Sequence, residues 1–187
     1  MGGCAFDTRH AVSKFTLFNR HQREFQDLLV TKQCFGIRPD ALTFTAFRNL
    51  SISKSERIEI DVLQDEAYDF RNEITNTVYT SVENYASVFE QFSTNTLPRY
   101  LNSFETYLRH SDNKNFFVGS RLSLVDFVLY ELFWQMTMMV PNSITESKRP
   151  TLFAFIKAFE KESRIAHYQQ NENHIERPIN MPWASFT

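Results

Sequence analysis

The chain has 187 residues and a formal net charge of -2, and 42% of its residues are hydrophobic, with Phe at 19 copies. This length fits one domain of about 100–200 residues, or one domain and a fragment. The apolar content excludes an intrinsically disordered chain, and the near-neutral charge argues against a nucleic-acid binder, which needs a basic surplus to neutralise phosphates.

Turn-forming residues are scarce, since the chain has only 4 Gly and 6 Pro. This scarcity disfavours a many-stranded β fold and favours long helices. Cys4 and Cys34 are the only cysteines and cannot build a disulfide framework, so the sequence predicts a reducing, cytoplasmic setting. Their spacing from His10 and His21 lacks the tight pairs that zinc sites favour, and we expect no metal.

Residues 1–53 read as an atypical N-terminal segment. A stripe of Phe and Leu between Phe15 and Leu29 predicts one helix there. The stretch from Leu42 to Leu50 fits strand alternation and helical spacing equally well. Residues 54–187 form the second predicted unit.

In that second unit the apolar residues recur every three or four positions, which is the period of a helix face. The first stripe predicts a helix that ends near Tyr79, and its members are Leu63, Ala67, Phe70, Ile74 and Val78. A short helix around 85–92 falls within a polar stretch. A further stripe then comprises Leu97, Leu101, Phe104 and Leu108.

Three more helices complete the prediction. The first runs from about residue 124 to Val140 and stops at Pro141, the second carries Leu152, Phe155, Ile156 and Phe159, and the third covers about 164–170. The tail from Asn171 has no period, and we expect it to cross the bundle surface. The sequence therefore predicts an all-α bundle of about five helices.

The start of the central helix carries the most informative local pattern. Ser123 stands three residues before Asp126, which is the spacing of a capping box with Asp in place of Glu. Leu122 and Phe127 have the spacing of a hydrophobic staple. A buried carboxylate could also act as a general acid or base, but the hydroxyl three residues earlier favours the structural cap.

The stretch from Leu122 to Val140 is long enough to span a membrane. It contains Asp126, Glu131 and Gln135, and each acid near the centre of a span would cost about 2.5–3.5 kcal/mol. A helix that is apolar on most faces is more simply the core helix of a bundle. We therefore expect no membrane association.

Four blocks of the sequence resemble the C-terminal domain of the glutathione transferase family, in a mu-like form. The first block, FVGSRLSLVDFVLYE at 117–131, contains the capped motif. The other three are RPTLFAF at 149–155, IAHY at 165–168 together with RPI at 177–179, and ERIEIDVLQD at 56–65. The resemblance extends from Lys54 to Phe186. It implies the family's helical bundle and conjugation of glutathione, as co-substrate, to small electrophiles in detoxification.

The same resemblance implies roles for two residues. Aligned through Glu56-Arg57-Ile58, Asp69 falls where mu-class members place an Asp that contacts glutathione across the interface of a homodimer. Tyr79 falls where they place a Tyr that lines the electrophile pocket and can hydrogen-bond the transition state. Without the family, Asp69 reads as an exposed helix acid and Tyr79 as a helix-end aromatic that is half-buried in the bundle.

Family members place a thioredoxin-like domain of about 80 residues ahead of this one, carrying the residue that stabilises the thiolate. Residues 1–53 show none of its motifs, so we expect the chain to lack that domain, and no catalytic residue is identifiable. The alternative hypothesis is a non-catalytic, transferase-like helical module that binds a protein partner.

Overall fold

A computed structural model describes residues 53–111, 113–170, 180 and 184–186, without the side chains of Arg164 and Tyr168. The N-terminal segment predicted for residues 1–53, with its helix, its cysteines and His10 and His21, lies outside these residues except for Ser53. The division of the chain at residue 53 therefore stays a prediction.

Every regular element in the described part of the chain is helical. The α-helices are α1 (Lys54–Val78), α2 (Val82–Gln91), α3 (Leu97–His110), α4 (Leu124–Met139), α5 (Pro150–Glu160) and α6 (Ser163–Gln169), and a π-helical turn (Phe92–Thr96) joins α2 to α3. The predicted all-α fold class is confirmed.

The predicted stripes form the core. All five stripe residues of α1 are buried, as are the four of α3 and the four of α5. These faces pack around α4, which is apolar on most of its surface and buries ten residues. A cluster of aromatic rings fills the centre, with Phe117 edge-on to Phe104 and Phe155 at centroid distances of 6.3 and 5.1 Å. Each such fully buried side chain contributes about 1.5–3 kcal/mol through the water it excludes.

No helix in the described part of the chain combines the length and the apolar character that crossing a membrane requires. The central helix α4 has 16 residues and buries Asp126 and Gln135 among its apolar side chains.

The segment between the first two strong stripes differs from its prediction. Instead of one short helix in a polar stretch, the chain is helical without a break from Val82 to His110, because the π turn connects α2 to α3. The turn ends just before Leu97-Pro98, the first residues of α3. Proline cannot donate a backbone hydrogen bond and clashes with the preceding turn of a regular helix, and a wider turn accommodates it.

The start of α1 is fixed by a capping box that the sequence reasoning missed. The Ser53 amide donates to Glu56 Oε2 at 2.7 Å, and the Glu56 amide donates to Ser53 Oγ at 3.1 Å. Hydrogen bonds from the backbone and the side chain of Ser53 to its carboxylate hold the pKa of Glu56 below its ordinary value. The signal was present as Ser-x-x-Glu at residues 53–56.

Gly119 brings the loop before α4 against this same cap. Its φ of +68° lies in the left-handed region, and a Cβ atom there would stand 2.5 Å from Oε1 of Glu56. Only glycine has both the conformational freedom and the space for this approach. The loop of residues 117–123, which we call the motif loop, therefore contacts the beginning of α1 through Gly119.

The described part of the C-terminal tail lies against the end of α1. The Ser185 amide donates to the carbonyl of Val78 at 2.7 Å, and Ala184 and Phe186 pack against the core. Residues 184–186 thus lie on the bundle at the end of α1, whereas most of the tail from Asn171 lies outside the described residues.

The start of α5 is capped from another helix. Glu105 on α3 accepts from the amides of Thr151 and Leu152 at 3.0 and 2.8 Å, one with each carboxylate oxygen. Arg149, which precedes α5, makes no side-chain cap of its own. Glu105 therefore satisfies two amides that the first turn of a helix leaves without partners.

Replacing Glu105 with Ala should lower the free energy of unfolding by about 1–2 kcal/mol, because both α5 amides lose their acceptor. Urea unfolding followed by circular dichroism measures this loss. Glu146→Ala, which removes an exposed acid from the loop before α5, is the matched control and should change stability by less than about 0.5 kcal/mol. Equal stabilities for the two variants would contradict the cap.

Candidate functional site

The buried carboxylate of Asp126 joins the motif loop to α4. Its Oδ1 accepts from the Phe117 amide at 2.7 Å, and its Oδ2 accepts from both the amide and the hydroxyl of Ser123, each at 2.7 Å. Ser123 is the N-cap of α4, and the pair has capping-box geometry. The Asp126 amide also donates to the Ser123 carbonyl at 3.2 Å.

Complete burial sets the charge state of this group. The side chain of Asp126 has no exposed surface, and burial raises its pKa from 3.8 to about 6, although its three hydrogen bonds act in the opposite direction. A protonated carboxyl needs an acceptor, which the Ser123 hydroxyl provides by rotating. The hydrogen bonds to Ser123 have the geometry of a structural cap.

The two staple residues lie in the core. Phe127 is buried and meets Phe159 edge-on at 5.1 Å, and Leu122 is half-buried and packs against the same core. The start of α4 is thus held by apolar contacts as well as by hydrogen bonds.

Asp69 and Tyr79 lie on α1 but on different faces. Asp69 is exposed, whereas Tyr79 is the half-buried C-cap residue of the helix and packs against the core. Ten residues separate them, which corresponds to a rise of about 15 Å and a rotation of about 80° around the helix axis. One small ligand bound to a single chain therefore cannot contact both residues.

The face of α1 that bears Asp69 also exposes apolar side chains. Ile58 is 57% exposed and Val62 is 58% exposed, and at about 100° per residue both lie within 30° of Asp69 around the axis. Exposed apolar side chains grouped on one face are typical of a surface that another molecule covers.

A surface groove of about 1110 Å³ lies between the first turns of α1, one face of α3 from Arg99 to His110, and the motif loop. Tyr107 lines it and donates to Glu59 Oε2 at 3.3 Å. Burial, and then the charge and hydrogen bond of Glu59, raise the pKa of Tyr107 to about 12. Neither Asp69 nor Tyr79 lines this groove, so it is separate from the predicted site.

The described residues contain no group of three or more His, Cys, Asp or Glu side chains that could hold a metal ion.

Residues 68–172 match the family model described as "Glutathione S-transferase, C-terminal domain". This stretch is more than half of the chain, and it contains Asp69, Tyr79 and the capped start of α4. The chain belongs to the glutathione S-transferase family. The resemblance drawn from the four sequence blocks is confirmed.

Curated relatives of several classes agree with this assignment. The chain is 30% identical over 134 residues to Glutathione S-transferase Mu 5 of Rattus norvegicus, and 28% identical over 134 residues to Mu 3 of Homo sapiens; each alignment covers 72% of this chain and 56% of the relative. Glutathione S-transferase P 1 of Bufo bufo is 28% identical over 122 residues, or 65% of this chain and 55% of the relative. The chain thus spans about half the length of the curated relatives that it matches.

A solved structure shares the fold. The Pi-class glutathione S-transferase of Onchocerca volvulus superposes with a TM-score of 0.64 at 19% sequence identity, over 76% of this chain and 70% of that chain. At this identity the likeness supports the helical fold alone.

Replacing Asp126 with Asn removes a titrating group whose pKa is raised by folding. In the wild type, the unfolded chain loses this proton near pH 4 and the folded chain near pH 6. The stability that the carboxyl contributes is therefore complete below about pH 4 and falls by about 3 kcal/mol as the pH rises to about 6. We therefore expect the difference in free energy of unfolding, wild type minus Asp126→Asn, to fall by about 3 kcal/mol between pH 4 and pH 6.

Urea unfolding of both proteins between pH 4 and pH 7 measures the difference. Asp65→Asn changes an exposed acid on α1 and should leave the corresponding difference flat. A difference that stays flat for Asp126→Asn, or that grows with pH, would rule out a raised pKa.

Proposed function

We propose that this protein is a glutathione transferase that conjugates glutathione to small electrophiles. In this reaction the thiolate sulfur forms a bond to the electrophilic carbon, and the leaving group departs with its electron pair. The observation that carries the proposal is the family match, which runs through α1 with an Asp at 69 and a Tyr at 79. The reaction uses glutathione as co-substrate.

We propose that Tyr79 lines the pocket for the electrophile and donates a hydrogen bond in the transition state. Its hydroxyl is a hydrogen-bond donor at the end of α1, and its half-buried ring gives an apolar surface beside it. A hydroxyl in this position can donate to the charge that develops as the sulfur attacks. The tail residues that contact the end of α1 shield the same region from water.

Asp69 is proposed to bind glutathione held by the other protomer of a homodimer. An exposed carboxylate can accept charge-assisted hydrogen bonds from an ammonium group, such as that of the γ-glutamyl moiety. The geometry of α1 supports separate roles for Asp69 and Tyr79, because the two residues lie about 15 Å apart along the helix axis and about 80° apart around it. Ile58 and Val62, exposed beside Asp69, would be covered by the second protomer.

The glutathione thiolate needs a further hydrogen-bond donor that stabilises its negative charge. A free thiol has a pKa near 8.5 and is a weak nucleophile at neutral pH unless its thiolate is stabilised. Tyr107, in the groove, already donates to Glu59 and has a raised pKa, which makes it unsuited to this task. We assign the thiolate-stabilising role to none of the described residues.

Turnover of 1-chloro-2,4-dinitrobenzene with glutathione tests the activity, and Tyr79→Phe tests its site. We expect kcat to fall about tenfold with little change in the KM for glutathione, since a hydrogen bond made only in the transition state is worth about 1.4 kcal/mol. Tyr107→Phe, which removes a hydroxyl outside the site, is the control and should keep the wild-type kcat.

A chain that neither binds immobilised glutathione nor turns over this substrate would end the enzymatic proposal. The non-catalytic module that binds a protein partner through the bundle would then be the function to test.

Asp69→Asn should raise the KM for glutathione about tenfold and leave kcat nearly unchanged, because the lost charge-assisted bond is made in both the ground and transition states. Steady-state kinetics at varied glutathione concentration measures the change. Asp65→Asn removes an exposed acid one turn earlier and should behave as the wild type. An unchanged KM in the Asp69 variant would remove Asp69 from the site.

A further inference from the structure

A second, smaller cavity lies away from α1. It has a volume of about 160 Å³ and is bounded by the π turn, the start of α3 and the loop that leads into α5. At about 30 Å³ for each water molecule, this volume holds about five waters, which suits one small polar ion and not a nucleotide. None of its lining residues belongs to α1 or to the groove described above.

The charged residues that line this cavity are both cations. Lys148 and Arg149 are adjacent in the loop, and the other lining residues are uncharged: Ser93, Leu97, Pro98, Leu101, Val140, Pro141, Asn142 and Ser143. Lys148 is exposed, and its Nζ is held over the loop by the carbonyl of Asn142 at 2.9 Å. Among the residues that the structure describes, the cavity wall therefore presents two positive charges and no carboxylate.

Arg149 is nine-tenths buried, and its guanidinium is only partly satisfied. Nη1 donates to the Ser143 carbonyl at 2.8 Å and Nη2 donates to Asn102 Oδ1 at 3.0 Å, whereas Nε is buried with no hydrogen-bond partner. A guanidinium has five N–H groups. These two bonds go to neutral acceptors, so neither of them pairs the guanidinium with an opposite charge.

The acid whose charge acts on Arg149 is Glu105. Both of its oxygens already accept from the α5 amides of Thr151 and Leu152. By contrast, Arg71, which also has a buried Nε without a partner, is paired with Glu131 at 2.6 Å. Arg149 is therefore a buried cation with unused donors and no carboxylate bound to it, which is costly unless an anion shares the site.

The backbone around the cavity is unusual on two sides. Ser93 belongs to the π turn, a rare conformation found frequently at functional sites. Asn142 has a φ of +65°, in the left-handed region that non-glycine residues seldom adopt. Ser93 and Asn142 both line the cavity, whereas Phe92 of the same π turn is buried in the core.

We propose that this cavity, which we call the Arg149 cavity, binds a small tetrahedral oxyanion, either inorganic phosphate or the phosphate group of a monoester. The anion accepts hydrogen bonds from the second N–H groups of Nη1 and Nη2 of Arg149, since Nε is buried away from solvent, and it pairs with Lys148. Arg suits this role because its planar donors match oxyanion geometry. The site is independent of glutathione conjugation.

Thermal unfolding of the full chain with inorganic phosphate tests the proposal. Sodium chloride at matched ionic strength controls for general salt effects. A ligand that binds only the folded state should raise Tm, by roughly 3–5 °C at a concentration ten times its Kd. Lys148→Gln, at an exposed position, should weaken phosphate binding at least threefold, whereas Lys161→Gln, at the far end of α5, should match the wild type.

A phosphate effect no larger than that of chloride would overturn the proposal, because the cavity would then hold only water. The proposal would also be overturned if phosphate raised the Tm of Lys148→Gln and of Arg149→Lys as much as it raises that of the wild type. Amide chemical shifts give a second readout that does not depend on variant stability. Phosphate should move the amides of Ser93, Asn142 and Ser143 and leave that of Asp65 in place; the reverse pattern would place the anion elsewhere.

A parallel titration with O-phosphoserine distinguishes the two sources of the anion. Equal responses to phosphoserine and phosphate indicate a site for phosphate monoesters. A response to inorganic phosphate alone indicates a site for the free ion.

Discussion

The buried carboxylate of Asp126 is the interaction on which the rest of the bundle depends. It binds Phe117 and Ser123, which flank the motif loop on either side of Gly119. The loop in turn reaches the cap of α1, because Gly119 lies against Glu56. One acid therefore positions the start of the central helix and the start of the first helix. Removing it would leave the buried amide of Phe117 and the partly buried amide of Ser123 without their acceptor, and a buried N–H without a partner costs about 1–3 kcal/mol.

Most of the features that could be predicted depend on neighbours in sequence, although the local capping box of Ser53 and Glu56 was missed. The stripes of α1, α3 and α5 follow from a period that any short window shows, and the Ser123–Asp126 pair follows from a spacing of three. Glu105 caps α5 from 46 and 47 residues away, and no local pattern announces that contact. The π turn was missed because this stretch is mostly polar, and its few apolar residues give only a weak helical period.

The candidate site shows the same limit. Asp69 and Tyr79 are typical helix residues, and nothing in their spacing marks them, so only the resemblance to a family gave them roles. The structure adds that they occupy different faces of α1, with the exposed Ile58 and Val62 beside Asp69. Burial and exposure are properties of the assembled bundle, which explains why the residues alone could not supply them.

The site and the cap are connected through α4. Arg71, two residues after Asp69, forms an ion pair with Glu131 of α4 at 2.6 Å, and both side chains are largely buried. The orientation of the middle of α1 therefore depends on where α4 lies, and α4 begins at the carboxylate of Asp126. A displacement of α4 would therefore be passed through this ion pair to the middle of α1, the part of the helix that carries Asp69, although Asp69 itself does not contact the cap. Under the proposed function, such a change would act by positioning Asp69 and not by altering its chemistry.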